Sequence, residues 1–210
     1  LALLGWNVGE EEQIFLIDDV IGRFEPHDLS NKNVIFDHQK LEWVNGKHLR
    51  MLAREQVRDA FKDFLAYTGR KEYLERVEMD DSAKDVIEIC RQKVNTLEQL
   101  ADFAYPFFFD DYEYENNYVE KYLQDEKAGV IISEALKLFE NLKDWTVESV
   151  EKVIRSLPEH LEISKKKVFQ TLRGAVMGRL VTPGLFETIS VLGKERVLKR
   201  LQRTMKMVEG

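Results

Sequence analysis

Apolar residues recur three and four positions apart along most of the chain, the spacing that gives an α-helix one face to bury. RMLAREQVRDAFKDFLAYTG (50–69) follows this pattern and ends on Gly69, a helix C-cap signal. SAKDVIEICRQ (82–92) opens on Ser82 as N-cap, with Asp85 three residues on, where a negative charge favours a helix start. Residues 116–142 read as one long amphipathic helix. Thr146 and Ser149 open a helix whose Val150, Val153, Ile154 and Leu157 share a face. Ser164 caps the helix that follows. The last helix, residues 194–207, has Val197, Leu198, Leu201 and Met205 on its apolar side and basic residues on the rest. No alternating strand run, hairpin signal or internal repeat interrupts these patterns, so the fold class is all-α.

Pro106 interrupts the helical pattern, followed by Phe107, Phe108, Phe109 and an acidic cluster. A junction is expected there, and a second near Arg58, inside a helix. The chain then divides into residues 1–57, 58–106 and 107–210.

Composition narrows the function. A chain of 210 residues that is 44% hydrophobic and 33% charged folds into one or two cores. The single cysteine, Cys90, excludes an intrachain disulfide and a cysteine-based zinc site, and its amphipathic helix favours burial over nucleophilicity. His27, His38, His48 and His160 have no ligand spacing, so no metal is expected. No apolar run approaches the length of a membrane span, and a reduced, cytoplasmic setting fits. LALLGW opens the chain without a Met and without the basic flank of a signal peptide, which points to a piece of a longer protein.

The net charge of −7 conceals a segregation. Residues 164–207 hold eleven basic residues against Glu187 and Glu195, a charge of +9 that leaves −16 on the remainder. Such asymmetry points to an anionic partner for this end; an ordinary solvated basic helix face is the alternative.

Catalytic signatures are missing. Gly193-Lys194 lacks the earlier glycine of a P-loop and is followed by Glu195. There is no Gly-x-Ser-x-Gly. The adjacent pairs Asp18-Asp19, Asp80-Asp81 and Asp110-Asp111 point apart on regular structure and make poor acid–base dyads. No catalytic residue and no cofactor are assigned to this chain.

Binding chemistry is better represented. Arg173 and Arg179 flank VTPGLF (181–186), where Pro183 fixes its own φ and Gly184 permits a sharp turn. Recognition of unpaired RNA uses such arginines together with apolar or aromatic stacking surfaces. The alternative is a helix–helix connection whose Leu185 and Phe186 plug the core.

LALLGW (1–6), FDHQKLEWVNGKHLR (36–50) and LRGAVMGRLVTPGLFETISVLGKERVLKRL (172–201) resemble, in order and spacing, the C-terminal half of bacterial-type glutamyl-tRNA synthetases, which are class I aminoacyl-tRNA synthetases. The resemblance covers essentially the whole chain. It implies a stem-contact region at 1–57 and two helical anticodon-binding parts at 58–106 and 107–210. The family's KMSKS-type loop and HIGH motif do not occur here. The resemblance therefore places the Rossmann domain, with its ATP, magnesium and glutamate, outside this chain, which alone would be catalytically inactive.

Site residues carry over by position. Arg173 falls on a contact to an anticodon base, and Thr182, Pro183 and Leu185 on a turn that packs against bases, with Phe186 filling the core. Arg155, aligned through Trp145-Thr146, falls on another contact. Alignment through Thr96-Leu97 places Lys93, with Arg91 two residues earlier, where the third anticodon base is read. Members restricted to the glutamate tRNA commonly carry an arginine there. A lysine cannot make the bidentate fork, so charging of the glutamine isoacceptor stays open. Asn45, Lys47, His48 and Arg50 near the inner corner of the tRNA, and Lys165, Lys166 and Arg179 beside the anticodon part, are expected on the RNA backbone; Trp6 and Trp43 are expected in the core. The partner is then tRNA, bound by a monomer. The competing expectation is a helical module docking onto a translation partner such as a tRNA-dependent amidotransferase through the acidic residues 110–126.

Overall fold

A computed structural model describes residues 6, 14–29 and 35–209. Among these, twelve α-helices and no strand occur. They are α1 (Ile17–Arg23), α2 (His38–Met51), α3 (Arg54–Tyr67), α4 (Lys71–Met79), α5 (Ala83–Arg91), α6 (Leu97–Phe108), α7 (Asn116–Tyr118), α8 (Ala128–Asn141), α9 (Val147–His160), α10 (Lys165–Met177), α11 (Leu185–Leu192) and α12 (Lys194–Glu209). A 3₁₀ turn, Pro26–Asp28, follows α1, and a π turn, Val119–Leu123, continues α7. Of LALLGW, only Trp6 lies within the described residues, and it is buried.

Local chemistry explains most helix ends. The Thr146 hydroxyl accepts from the Ser149 N–H at 3.2 Å, and Ser149 Oγ accepts from the Thr146 N–H at 3.0 Å, a reciprocal cap at the start of α9. Ser164 Oγ accepts from the Lys167 N–H at 3.4 Å. Gly69 takes a left-handed φ of 73°, which lets the Arg70 N–H reach back to the Leu65 carbonyl at 2.9 Å and close α3. At α5 the expected Ser82 cap is not made. The carboxylate of Asp80 accepts instead from both the N–H and the hydroxyl of Ser82, at 2.8 and 2.6 Å.

Two helical expectations are corrected. Residues 116–142 are not one helix: α7 runs into the π turn, and Asp125 accepts from the Lys127 N–H at 3.0 Å before α8 begins. The break accompanies deep insertion of Tyr118, whose hydroxyl donates to the Thr171 carbonyl at 3.1 Å. A Cβ at Gly174 would overlap its ring, so α10 needs glycine there. Pro106 does not interrupt a helix either, but lies inside α6.

A single cluster of buried apolar side chains extends from Leu49 to Leu201, through α3, α5, α6, α8, α9, α10, α11 and α12. It passes through α3, where Arg58 sits, and α6, where Pro106 sits. In the back half α12 and α9 pack on α8, and α10 touches all three; in the front half α5 packs on α3 and α6. Contact of α11 with α5 joins the halves.

Arginines seal that junction. The carbonyls at the end of α6 have no helical partner. Arg200 donates to the Pro106 carbonyl at 2.5 Å and the Phe109 carbonyl at 3.1 Å, Arg76 to Phe108 at 2.9 Å, and Arg196 to Phe107. Arg203 donates to the Asp110 carbonyl, while Arg196 and Arg200 also pair with the Asp110 carboxylate at 3.0 and 2.7 Å. Arg200 is only 2% exposed. The basic face of the last helix is therefore largely turned inward.

Candidate nucleic-acid interface

The turn between α10 and α11 hangs on Arg173. Its Nε donates to the Thr182 hydroxyl at 3.0 Å and its Nη1 to the Gln170 side chain at 3.0 Å. The Thr182 hydroxyl donates in turn to the Pro183 carbonyl at 2.8 Å. Half-burial lowers the pKa of the guanidinium from its ordinary value. Nη2 makes no hydrogen bond among the described residues, so one edge of this oriented fork remains available.

Burial reverses the expected roles within the turn. Thr182, Pro183 and Leu185 are buried, Leu185 to 4% exposure, so they present no open face in the free chain. Val181 is 66% exposed, Gly184 is exposed, and Phe186 is half-buried rather than filling the core. The reason is geometric. Leu185 starts α11 and turns inward with Ile189, four residues on, which leaves Phe186 at the rim.

At that rim Phe186 meets Phe169 of α10 edge to face, with centroids 5.7 Å apart. The Arg155 guanidinium of α9 lies 5.1 Å from the Phe186 ring centre, and its Nε donates to the Glu151 carboxylate at 2.5 Å. Phe169 and Arg173 are one helical turn apart on α10. Arg155, Phe186 and Phe169 thus form a run of cation–aromatic contacts, with Arg173 one turn along α10 from Phe169. Such a strip suits the faces and edges of unpaired bases. Phe169 and Gln170 escaped sequence reasoning; the spacing of Phe169 to Arg173 was the available signal.

The remaining candidates divide. Lys93 is exposed in the α5–α6 connection, and its side chain has no partner among the described residues. Arg91 is buried: it donates to the carbonyls of Leu49 at 3.2 Å and Leu52 at 2.6 Å and pairs with Glu88. It caps the end of α2 and is withdrawn from RNA. Arg50 is likewise engaged, donating to the Val94 carbonyl at 2.8 Å and the Asn95 side chain at 3.3 Å. Lys47 is exposed, 5.5 Å above the ring of Trp43, which is itself 40% exposed and not in the core as expected. The packing of α2 explains this, since only Gly46 and Leu49 of that helix are buried.

Lys165 and Lys166 are exposed on the first turn of α10 without partners among the described residues, as are Lys199 and Lys206 of α12. Arg179 donates to the Asp102 carbonyl at 3.2 Å and is half-buried. Lys167 pairs with Asp125 at 2.6 Å, and Lys194 donates to the Glu140 and Leu142 carbonyls at 2.8 Å each. Much of the charge that pointed to an anionic partner therefore closes helix ends. The unpaired remainder of that segment is Lys165, Lys166, Lys199 and Lys206.

Four of the seven acids in the stretch 110–126 are engaged internally, while Glu113, Glu120 and Glu126 are exposed. Asp110 meets Arg196 and Arg200, Asp111 accepts from Tyr105, Glu115 accepts from the Leu180 N–H, and Asp125 holds Lys167. Among the described residues no group of three or more His, Cys, Asp or Glu side chains is arranged to hold a metal, and no helix is long and apolar enough to cross a membrane.

The architecture is that of an all-helical binding domain whose most distinctive surface is a cation–aromatic strip. A family model described as an anticodon binding domain matches residues 49–205, and the chain belongs to this anticodon-binding domain family. It is similar to glutamate–tRNA ligase 2 of Pseudothermotoga lettingae, with 52% identity over 209 residues, 100% of this chain and 44% of that protein. Glutamate–tRNA ligase 2 of Fervidobacterium nodosum is 50% identical over 208 residues, 99% of this chain and 42% of that protein. The chain thus spans less than half the length of these relatives. A glutamate tRNA ligase from Elizabethkingia meningosepticum, solved with its amino acid, shares the fold with a TM-score of 0.83 at 21% identity, over 98% of this chain and 39% of that one.

Proposed function

We propose that this chain is the tRNA-binding, anticodon-reading part of a glutamate–tRNA ligase acting in the cytoplasm. ATP-dependent attachment of glutamate, with its ATP and magnesium, belongs to the part of such a ligase that this chain does not contain. The observation that carries the reading is the strip of Arg155, Phe186 and Phe169, with Arg173 one turn along α10, lying within the matched anticodon-binding segment. Arg173 is pre-oriented by Thr182 and Gln170, which reduces the ordering cost of a contact to a base edge. Phe186 supplies an apolar face that tolerates any base. Lys93 supplies a point charge apart from the strip, compatible with glutamate and glutamine isoacceptors alike. Docking onto an amidotransferase gains less support, because Asp110 and Asp125 of the acidic stretch that would serve it are paired internally.

A fluorescence titration of the chain against glutamate-isoacceptor tRNA tests the reading. Binding should weaken as salt rises, because phosphate contacts release counterions. It should weaken by about tenfold or more when Arg155 and Arg173 are both replaced by alanine. Unchanged binding by that double variant rejects the assigned contacts.

A further inference from the structure

The α5–α6 connection, residues 92–96, is short, but α2 holds it firmly. Arg50 of α2 donates to the Val94 carbonyl at 2.8 Å and the Asn95 carboxamide at 3.3 Å. Asn45, one and a half turns earlier, donates to the Asn95 carbonyl. Between them lies Gly46, where a Cβ would overlap the Asn95 side chain and crowd the Arg50 guanidinium. From the other side Arg91 reaches back to the Leu49 and Leu52 carbonyls. Two arginines are thus exchanged across the joint, each satisfying carbonyls on the opposite element. Val94 is buried, so the connection has an apolar anchor as well.

The group this joint orients is the Lys93 side chain, exposed and unpartnered among the described residues, and adjacent to Val94. A lysine on a loose loop would lose backbone freedom on meeting RNA; on a fixed loop that cost is already met. We propose that Arg50 is a positioning residue for RNA: it acts through residues 92–96 to fix where Lys93 meets the anticodon loop. This rests on the anticodon-reading function proposed above. It also assigns α2 a role in holding the reading element rather than touching the RNA backbone through Arg50.

Four variants test it: R50A, R50K, G46A and K93A. G46A is informative because alanine favours helix α2 while its methyl group displaces Asn95, so a purely stabilising role for α2 predicts no loss. Two readouts are needed, hydrogen exchange at the amides of residues 93–95 and affinity for an anticodon stem-loop and its single-base variants.

Exchange at 93–95 should rise about tenfold in R50A and G46A and less in R50K, whose single ammonium keeps part of the contact. K93A should weaken cognate binding about tenfold, and R50A about fivefold, with no further loss from R50A once Lys93 is gone. Unchanged exchange at 93–95, or an R50A loss that persists in full beside K93A, overturns the proposal. If the unaltered chain binds every stem-loop equally, the anticodon-reading function fails and takes this role with it. If anticodon preference is intact but the two losses add, only this proposal falls.

Discussion

Arg179 Nη1 donates to the Asp102 carbonyl at 3.2 Å, the acceptor that Pro106 leaves without its helical partner. Proline has no N–H to return to the carbonyl four residues earlier, and its ring pushes that carbonyl aside. An arginine from beyond α10 fills the vacancy, so α6 continues through a residue that would otherwise end it.

A double-mutant cycle checks this relationship. Arg179→Ala should cost about 1 kcal/mol in urea unfolding, with Asp102 losing its donor. In a Pro106→Ala background the restored N–H should take over the Asp102 carbonyl, and the cost of losing Arg179 should shrink by half or more. Equal costs in both backgrounds would show that Arg179 contributes elsewhere.

Asp110 gives a pH signature. Partial burial pushes its carboxyl up, but hydrogen bonds from Arg200 and Arg196 outweigh that and hold it at about 2, below the ordinary 3.8. Its stabilisation is therefore complete above the unfolded pKa and is lost as pH falls through about 4 toward 2. The Asp110 side chain is 40% exposed, so solvent screens the pair; Asp110→Asn should cost about 1 kcal/mol at pH 7. Acid titrations followed by circular dichroism should show the two proteins converging between pH 4 and pH 2. A constant difference down to pH 2 would assign the loss to packing.

Thr182 is predicted to act through Arg173. Thr182→Val keeps the shape but removes the acceptor of the Arg173 Nε and the donor to the Pro183 carbonyl. Stability should fall by about 1 kcal/mol, and RNA affinity by about threefold, less than for Arg173→Ala. An affinity loss in Thr182→Val as large as in Arg173→Ala would mean that the threonine itself is the principal contact.

Cys90 is buried, and burial pushes its thiol pKa up. The native chain should not react with a disulfide reagent at pH 8 on a timescale of minutes, while the urea-unfolded chain should react at once. Rapid native labelling would require opening of α5.

Sequence reasoning reached the caps and faces that depend on neighbours within one helix. Thr146 with Ser149, Ser164 and Gly69 were readable because each cap is closed within about five residues. It failed at Ser82, which Asp80 engages from two residues away, and where a distant partner decides. Pro106 could not be placed inside α6 without knowing that Arg179 comes back to Asp102. Residues 116–142 keep their amphipathic period through the break, which accompanies Tyr118 entering the space at Gly174.

The site shows the same division. Arg155 and Arg173 follow from the family resemblance, and the structure sets Arg155 against Phe186 and ties Arg173 to the Thr182 of the same turn. Arg91 and Arg50 carry the same charge in sequence, but their carbonyl acceptors lie some forty residues away. Leu185 and Phe186 exchange roles because the start of α11 fixes which of two adjacent apolar residues turns inward.

The central claim is that the rim of Arg155, Phe186 and Arg173 reads anticodon bases. The most direct measurement is the affinity of the chain for glutamate-isoacceptor tRNA and for the same tRNA with its first two anticodon bases replaced, at one fixed salt concentration. The account predicts tighter binding of the natural tRNA by about tenfold or more, and loss of that preference in the Arg155→Ala, Arg173→Ala double variant. Equal affinity of the unaltered chain for both tRNAs would contradict it.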